Sequence, residues 1–390
     1  MTTERCRIVF TGYLVRFPLG GYAWQVAHYL LGFRALGHDV WFYEDTGYYT
    51  LAYNPVTDEC HSTYDYGITM AASFFDRLGF GEQWVFTDVD RGMAYGPGAG
   101  RVETLMRDAD LLVNLGGVNR ILPERRGGRP AVYIDLDPAY TQIKLVSGDT
   151  VLRTFLNEHT SLFTFGENIG TARSTVPTGG FTWHPTRQPV VLELWSHTGA
   201  PGRAYTTVGT WTSRGRDLTY QEEKYQWSKR AEWLRCLDLP ERTTVPFEMA
   251  MDVDSMAGDL DLLTAHGWRV INPLAVSTDP WRYHAYIRES RGEFSVAKDI
   301  NVRLRSGWFS DRAACYLAAG RPVVGQDTGF GDILPLGPGL HAFCTVEDAA
   351  DAVRRIEADY HCASAQATAV AWEYFAAEKV LERLLRDAGL

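Results

Sequence analysis

Nowhere in the 390 residues do about 18 apolar residues follow one another, so no membrane-spanning helix is expected. Met1 to Arg7 lacks the basic start, apolar middle and small-residue cleavage site of a secretory signal. Six cysteines are present, at positions 6, 60, 236, 315, 344 and 362, but none forms a CxxC pair or a Cys/His ligand spacing. That argues against a zinc site and predicts reduced, mostly buried thiols in a cytoplasm. An excess of basic charge is also missing. The 38 Lys and Arg against 48 Asp and Glu give a net charge of -10. No nucleic-acid partner is expected on that ground, and the charge favours solubility. Hydrophobic residues make up 45% and charged residues 22%, an ordinary globular balance with little room for large disordered regions. The length exceeds one usual core, and two domains are expected.

What is present reads as two successive α/β patterns. Arg7 to Thr11 is a β-rich run, followed by a loop with Gly20-Gly21, a helical stretch Tyr22 to Leu36 closed by Gly37, and a second strand, His38 to Glu44. This is a βαβ unit with a parallel sheet. Apolar runs at 110–115, 131–136 and 161–165 suit strands covered on both faces. Residues 46–100, rich in Tyr, Gly and Asp, read as insertions near a cleft. Residues 171–204, rich in Pro, Gly, Thr and His, read as a linker. Beyond it come strands at 205–210, 245–253, 268–271 and 322–325, with helices at 221–236, 280–290, 309–319, 346–358 and 363–387. Two such sheets place a ligand at the carboxyl ends of their strands, in the cleft between them.

Several residues carry candidate chemistry. Gly20 and Gly21 let a backbone approach a ligand, and the helix after them offers free N–H groups to an anion. Ser310 and Asp311 have N-cap chemistry for the helix starting at Phe309, and Arg312 adds charge beside it. Glu293 and Lys298 bracket an apolar run, where a carboxylate suits ribose hydroxyls and a lysine suits phosphate. Asp327 and Thr328 follow a strand, as sugar ligands or as a plain turn. The loop after 205–210 holds Thr212, Ser213, Arg214 and Arg216. For a general base, Asp135 and Asp137 flank one strand end, and His159 and Glu167 flank another.

The segment Ser306 to Val324 resembles the donor-binding stretch of GT-B glycosyltransferases, in which a helix begins at the nucleotide-sugar diphosphate and ends in a Gly-x-Pro-Val strand start. The segment from Gly20-Gly21 to Leu36-Gly37-His38-Asp39-Val40 resembles the first unit of the same enzymes. The resemblance implies two Rossmann-like domains: an acceptor-binding domain over 1–190, a nucleotide-sugar-binding domain over 200–370, and a C-terminal helix in 371–390 returning to the first. It implies sugar transfer from a nucleotide-diphosphate sugar to a small-molecule or glycan acceptor, with no cofactor and no metal. A degenerate binder of nucleotide sugars and a nucleotide-sugar epimerase are the alternatives. Departures are visible. Gly307 and Cys315 occupy the positions of the retaining group's glutamate pair, Thr210 and Gly215 those of its basic pair, and Tyr22 that of the inverting group's histidine.

Overall fold

The computed structural model describes residues 5–120, 127–197, 199–213, 215–253 and 258–390. The strands of the first part are β1 (Arg7–Thr11), β2 (Asp39–Asp45), β3 (Ala52–Asn54), β4 (Glu59–His61), β5 (Trp84–Asp88), β6 (Met93–Tyr95), β7 (Leu111–Leu115), β8 (Ala131–Asp135), β9 (Ser161–Thr164) and β10 (Trp183–Pro185). Eight of them form one sheet in the order β10-β9-β8-β7-β1-β2-β5-β6. All its pairings are parallel except β5 with β6. Every residue of β7 and β8 is buried, as continuous apolar strands covered on both faces must be.

The second part holds β11 (Tyr205–Thr210), β12 (Leu218–Tyr220), β13 (Glu223–Tyr225), β14 (Phe247–Asp252), β15 (Trp268–Ile271), β16 (Gly292–Ser295), β17 (Val323–Gln326) and β18 (Leu340–Phe343). Six of these make a parallel sheet in the order β15-β14-β11-β16-β17-β18. No helix among the described residues is long and apolar enough to cross a membrane.

The helix Gly20–Ala35 is buried on nearly all sides. Such a helix must be covered all round, and here the helices Pro280–Arg288 and Ala377–Asp387 both pack on it. Gly32 is where the last helix comes closest. A Cβ there would lie 2.5 Å from Leu381 Cδ1 and 2.9 Å from Ala377 Cβ. Val190 donates its amide to Phe375 at 2.7 Å, and Ala377 donates to Val190 at 3.0 Å, so the two late crossings of the chain between the lobes run side by side.

Five sequence expectations need correction. Residues 46–100 are not merely insertions, since β5 extends the main sheet against β2. Residues 171–204 include β10, the edge strand of that sheet. The helix expected over 221–236 is instead the hairpin β12–β13 and a short helix, Arg230–Leu234. Gln221 and Glu222 take positive φ, 51° and 66°, which closes a two-residue turn. The polar run that favours helix is overruled because Tyr225 buries itself beside Ile300 and Leu304. The tail expected as one helix over 363–387 breaks between Tyr360–Tyr374 and Ala377–Asp387. Of the six cysteines, all free, only Cys236 and Cys315 are buried, and three are exposed.

Candidate active site

The carboxyl edges of the two sheets face each other. On the first side, the loop after β1 is fixed by Glu44 at the end of β2. Its carboxylate accepts from the amides of Leu14 at 2.8 Å, Val15 at 2.7 Å and Arg16 at 3.0 Å, and from Arg16 Nε at 3.0 Å. Both side chains are fully buried. Burial pushes the Glu44 carboxyl up, and Arg16 and the three amides oppose it. This loop delivers Gly20 and Gly21 to the cleft. A Cβ on Gly20 would lie 2.5 Å from Tyr283 Cβ, so the helix start is locked against Pro280–Arg288. Gly21 lines the cleft itself.

On the second side, Glu293 lies in the middle of β16 and is 0% exposed. It accepts from Arg312 Nε at 2.6 Å, and its other oxygen has no hydrogen-bond partner. Arg312 also donates to the carbonyl of Val208 on β11 and lines the cleft. Burial raises the Glu293 carboxyl and Arg312 opposes the shift. Lys229, at the start of the short helix after the hairpin, is held down to about 7 by burial and by the charges of Arg312 and Lys298. Its ammonium lies 5.5 Å from the centre of the Trp308 ring. Lys298 Nζ stands 3.2 Å from the Trp227 ring centre and donates to Asp137 Oδ1 at 2.9 Å. Burial lowers the Lys298 ammonium and Asp137 raises it. Arg216 approaches the same Asp137 at 3.7 Å. Arg312, Lys229, Lys298 and Arg216 thus form one basic chain of neighbours, of which Arg312 lines the cleft.

The helix Asp311–Ala318 starts at this place. Ser310 occupies its N-cap position, yet the hydroxyl makes no capping bond, contrary to the expected cap. Asp311 instead accepts the Arg312 amide at 2.9 Å and the Gln25 side chain at 3.1 Å. Phe309 is packed against Phe330 and Phe375. Asp327 accepts from Arg305 at 3.1 Å and from the Gly329 amide at 2.7 Å, and Thr328 donates to the Trp308 carbonyl at 2.5 Å. These contacts make that segment a tied turn, and neither residue lines the cleft. Thr212 and Ser213 sit in the loop after β11, and Arg214 lies outside the described residues.

The two aspartates at the end of β8 differ. Asp135 is fully buried and accepts from Thr141 at 2.7 Å, Gln142 at 2.9 Å and Thr164 at 3.0 Å. Burial nevertheless pushes it up to about 6. Asp137 is 38% exposed and lies between Lys298 and Arg216. His159 bonds Asn114 and the Phe155 carbonyl, and Glu167 is paired with Arg187 at 2.6 Å. Among the described residues no three His, Cys, Asp or Glu side chains gather as a metal site. Sequence reasoning missed Lys229, Trp227 and Trp308. The run Trp227-Ser228-Lys229-Arg230 signalled the first two, though the unforeseen hairpin hid its place after β11, and Trp308 stood unremarked in the segment Ser306 to Val324.

No protein-family model and no curated protein matches the sequence. Solved structures do match over the whole chain. One is an alpha-glucosyltransferase in complex with UDP and a 13-mer DNA containing a central A:G mismatch. It is 9% identical, covers 99% of this chain and 100% of its own, and has a TM-score of 0.61. A second is AviGT4, a glycosyltransferase involved in avilamycin A biosynthesis, 12% identical over 98% of this chain and 97% of its own, with a TM-score of 0.54. A third is HepE of Anabaena in complex with UDP and glucose, 9% identical over 98% of this chain and 99% of its own, with a TM-score of 0.54. The first of these corrects the expectation that nucleic acid is excluded as a partner. A glycosyltransferase of this architecture is described with DNA bound, and net charge is a sum that does not report the local surface. At these identities the likeness is one of architecture: the chain has the GT-B fold of the nucleotide-sugar glycosyltransferases.

Proposed function

We propose that this chain transfers a sugar from a nucleotide-diphosphate sugar to an acceptor. The observation that carries the reading is the convergence of Arg312, Lys229 and Lys298, with Arg312 lining the cleft beside Gly21 and Lys298 paired with Asp137 of the first lobe. A departing diphosphate brings two or more negative charges. A helix N-terminus offers about half an elementary charge, and Asp311 already takes one of its amides, so the side chains supply the rest. Arg312, aimed by Glu293, suits a phosphate oxygen. Lys229 and Lys298 suit the same group as point charges. On this reading no metal is needed. Residues 1–190 serve the acceptor, 200–370 the donor, and the helix in 371–390 braces the first lobe. Asp137 is the carboxylate placed to take an acceptor proton once Lys298 turns to phosphate, and Asp135 positions the loop that carries it.

The test is calorimetric titration with UDP, followed by UDP-glucose turnover with and without acceptors. Binding with slow donor hydrolysis supports transfer. No binding of UDP or of any other nucleoside diphosphate refutes the reading. A binder without turnover is the second reading. It is favoured by Gly307 and by the buried Cys315, whose Sγ sits 3.8 Å from His28 Nε2, where the resemblance would have carboxylates. Binding without hydrolysis or transfer would select it.

A further inference from the structure

The cleft that Gly21 and Arg312 line holds about 830 Å³, more than a diphosphate needs. Chambers of roughly 300–1,000 Å³ hold a small organic molecule. The floor is built by the second lobe: Val208 from β11, Met251 and Val253 at the end of β14, Val270 and Ile271 of β15, and Leu274 just after it. Carboxyl ends of parallel strands are where such sheets bind ligands, and these ends present apolar side chains beside the polar Thr210, Asp252 and Asn272. From the first lobe, Phe17, Tyr22 and Tyr53 face the same space. Tyr22 belongs to an aromatic group in which Tyr13 and Phe17 lie 5.8 and 6.2 Å from it, ring centre to ring centre. Flat or alicyclic apolar bodies fit such walls.

The rim is acidic. Asp58, Asp252 and Asp311 line it, and Arg312, the one basic side chain among the described lining residues, is already paired with Glu293. An anionic acceptor would meet three carboxylates, and the one lining cation is already claimed by Glu293 and, on the transfer reading, by the diphosphate. We propose that this chamber receives the acceptor, and that the acceptor is a neutral or cationic molecule with an apolar ring system, its hydroxyl or amine edge at the acidic rim. The proposal rests on the transfer reading, since Gly21 and Arg312 join the chamber to the proposed donor site.

Three fluorescent probes of similar size test it on the full chain: neutral N-phenyl-1-naphthylamine, cationic dansylcadaverine and anionic 1-anilinonaphthalene-8-sulfonate. The first two should bind saturably, and the third at least about tenfold more weakly. Leu274→Arg should remove the tight binding, and Asp252→Asn, an exposed change with little risk to folding, should narrow the gap between cation and anion. UDP affinity of both variants, measured by calorimetry, should stay at the wild-type value, so that failure of the donor site is read separately. Equal binding of the anionic probe, or unchanged binding in Leu274→Arg with a second filling variant, Val270→Trp, would overturn the proposal.

Discussion

Arg312→Met is the perturbation with the most to say. The Glu293 side chain is fully buried, and Arg312 supplies its one hydrogen bond. Removing the guanidinium strands the carboxylate, and breaking such a buried pair typically costs about 3–5 kcal/mol. An upper bound comes from protonation. Taking a glutamate with an ordinary value of about 4.3 to the neutral form at pH 7 spans about 2.7 units, or about 3.7 kcal/mol. The variant should therefore lose about 3 to 3.7 kcal/mol at pH 7, a drop of about 1 M or less in urea midpoint for a chain of this length. The sign with pH is fixed. In the variant the folded-state value lies far above the unfolded one, so the penalty is present above the folded value and fades as pH falls toward about 4.3. At pH 5 it should shrink to about 1 kcal/mol. Adding Glu293→Met should recover most of the loss, because replacing both partners by apolar groups is often neutral. Both variants should lose UDP binding. A deficit that does not change between pH 7 and pH 5, or a double variant no more stable than the single one, refutes the role given to Glu293. UDP binding retained by the double variant refutes the role given to Arg312.

Other outcomes are expected. Lys229 titrates near 7 in the free protein, and a bound diphosphate must raise it; UDP binding at pH 8 should therefore take up nearly one proton, and affinity should fall as pH rises above 7. Calorimetry in buffers of different ionisation enthalpy measures this, and Lys229→Met should abolish the uptake. Asp137→Ala should tighten UDP binding by up to about fivefold, the roughly 1 kcal/mol of a partly exposed ion pair, while slowing transfer; weaker UDP binding would contradict the competition between carboxylate and phosphate. Turnover should survive EDTA, and loss restored by a divalent ion would promote Asp135 and Asp137 to ligands. Gly32→Val should destabilise the protein by about 1–3 kcal/mol through overpacking against Leu381 and Ala377, seen as early exchange of amides in Ala377–Asp387; full protection there would disprove the tight seat.

Legibility followed physical type. Fully buried parallel strands such as Leu111–Leu115 and Ala131–Asp135 announced themselves, because a short unbroken apolar run between turn residues suits a strand covered on both faces. Trp84–Asp88 did not, since a Thr and an Asp in five residues dilute the apolar signal. The hairpin at Gln221-Glu222 was illegible for a different reason: its turn lacks Gly and Asn, and its strands are held by the burial of Tyr225. Within the site, Arg312, Glu293, Lys298 and Asp137 could be named from sequence, but their pairing could not. It depends on β16 lying between β11 and β17, and on one lobe reaching the other across 161 positions from Asp137 to Lys298. Ser310 had the right chemistry for a cap and the wrong neighbour, because Asp311 supplies the acceptor instead.

The paired crossings at Val190 and Phe375–Ala377 have a mechanical meaning. Two backbone hydrogen bonds pin them to each other, so they bend together. Rotation of the lobes about this pair leaves both bonds intact. It must instead undo contacts elsewhere, among them the Asn168 amide to Ser306 at 3.0 Å, the Asn168 side chain to Gly329 at 3.0 Å, and Lys298 to Asp137 at 2.9 Å. Two of those ties are neutral and one is ionic. On the proposed reading a diphosphate that draws Lys298 away from Asp137 loosens that ionic tie while the pinned crossing stays in place.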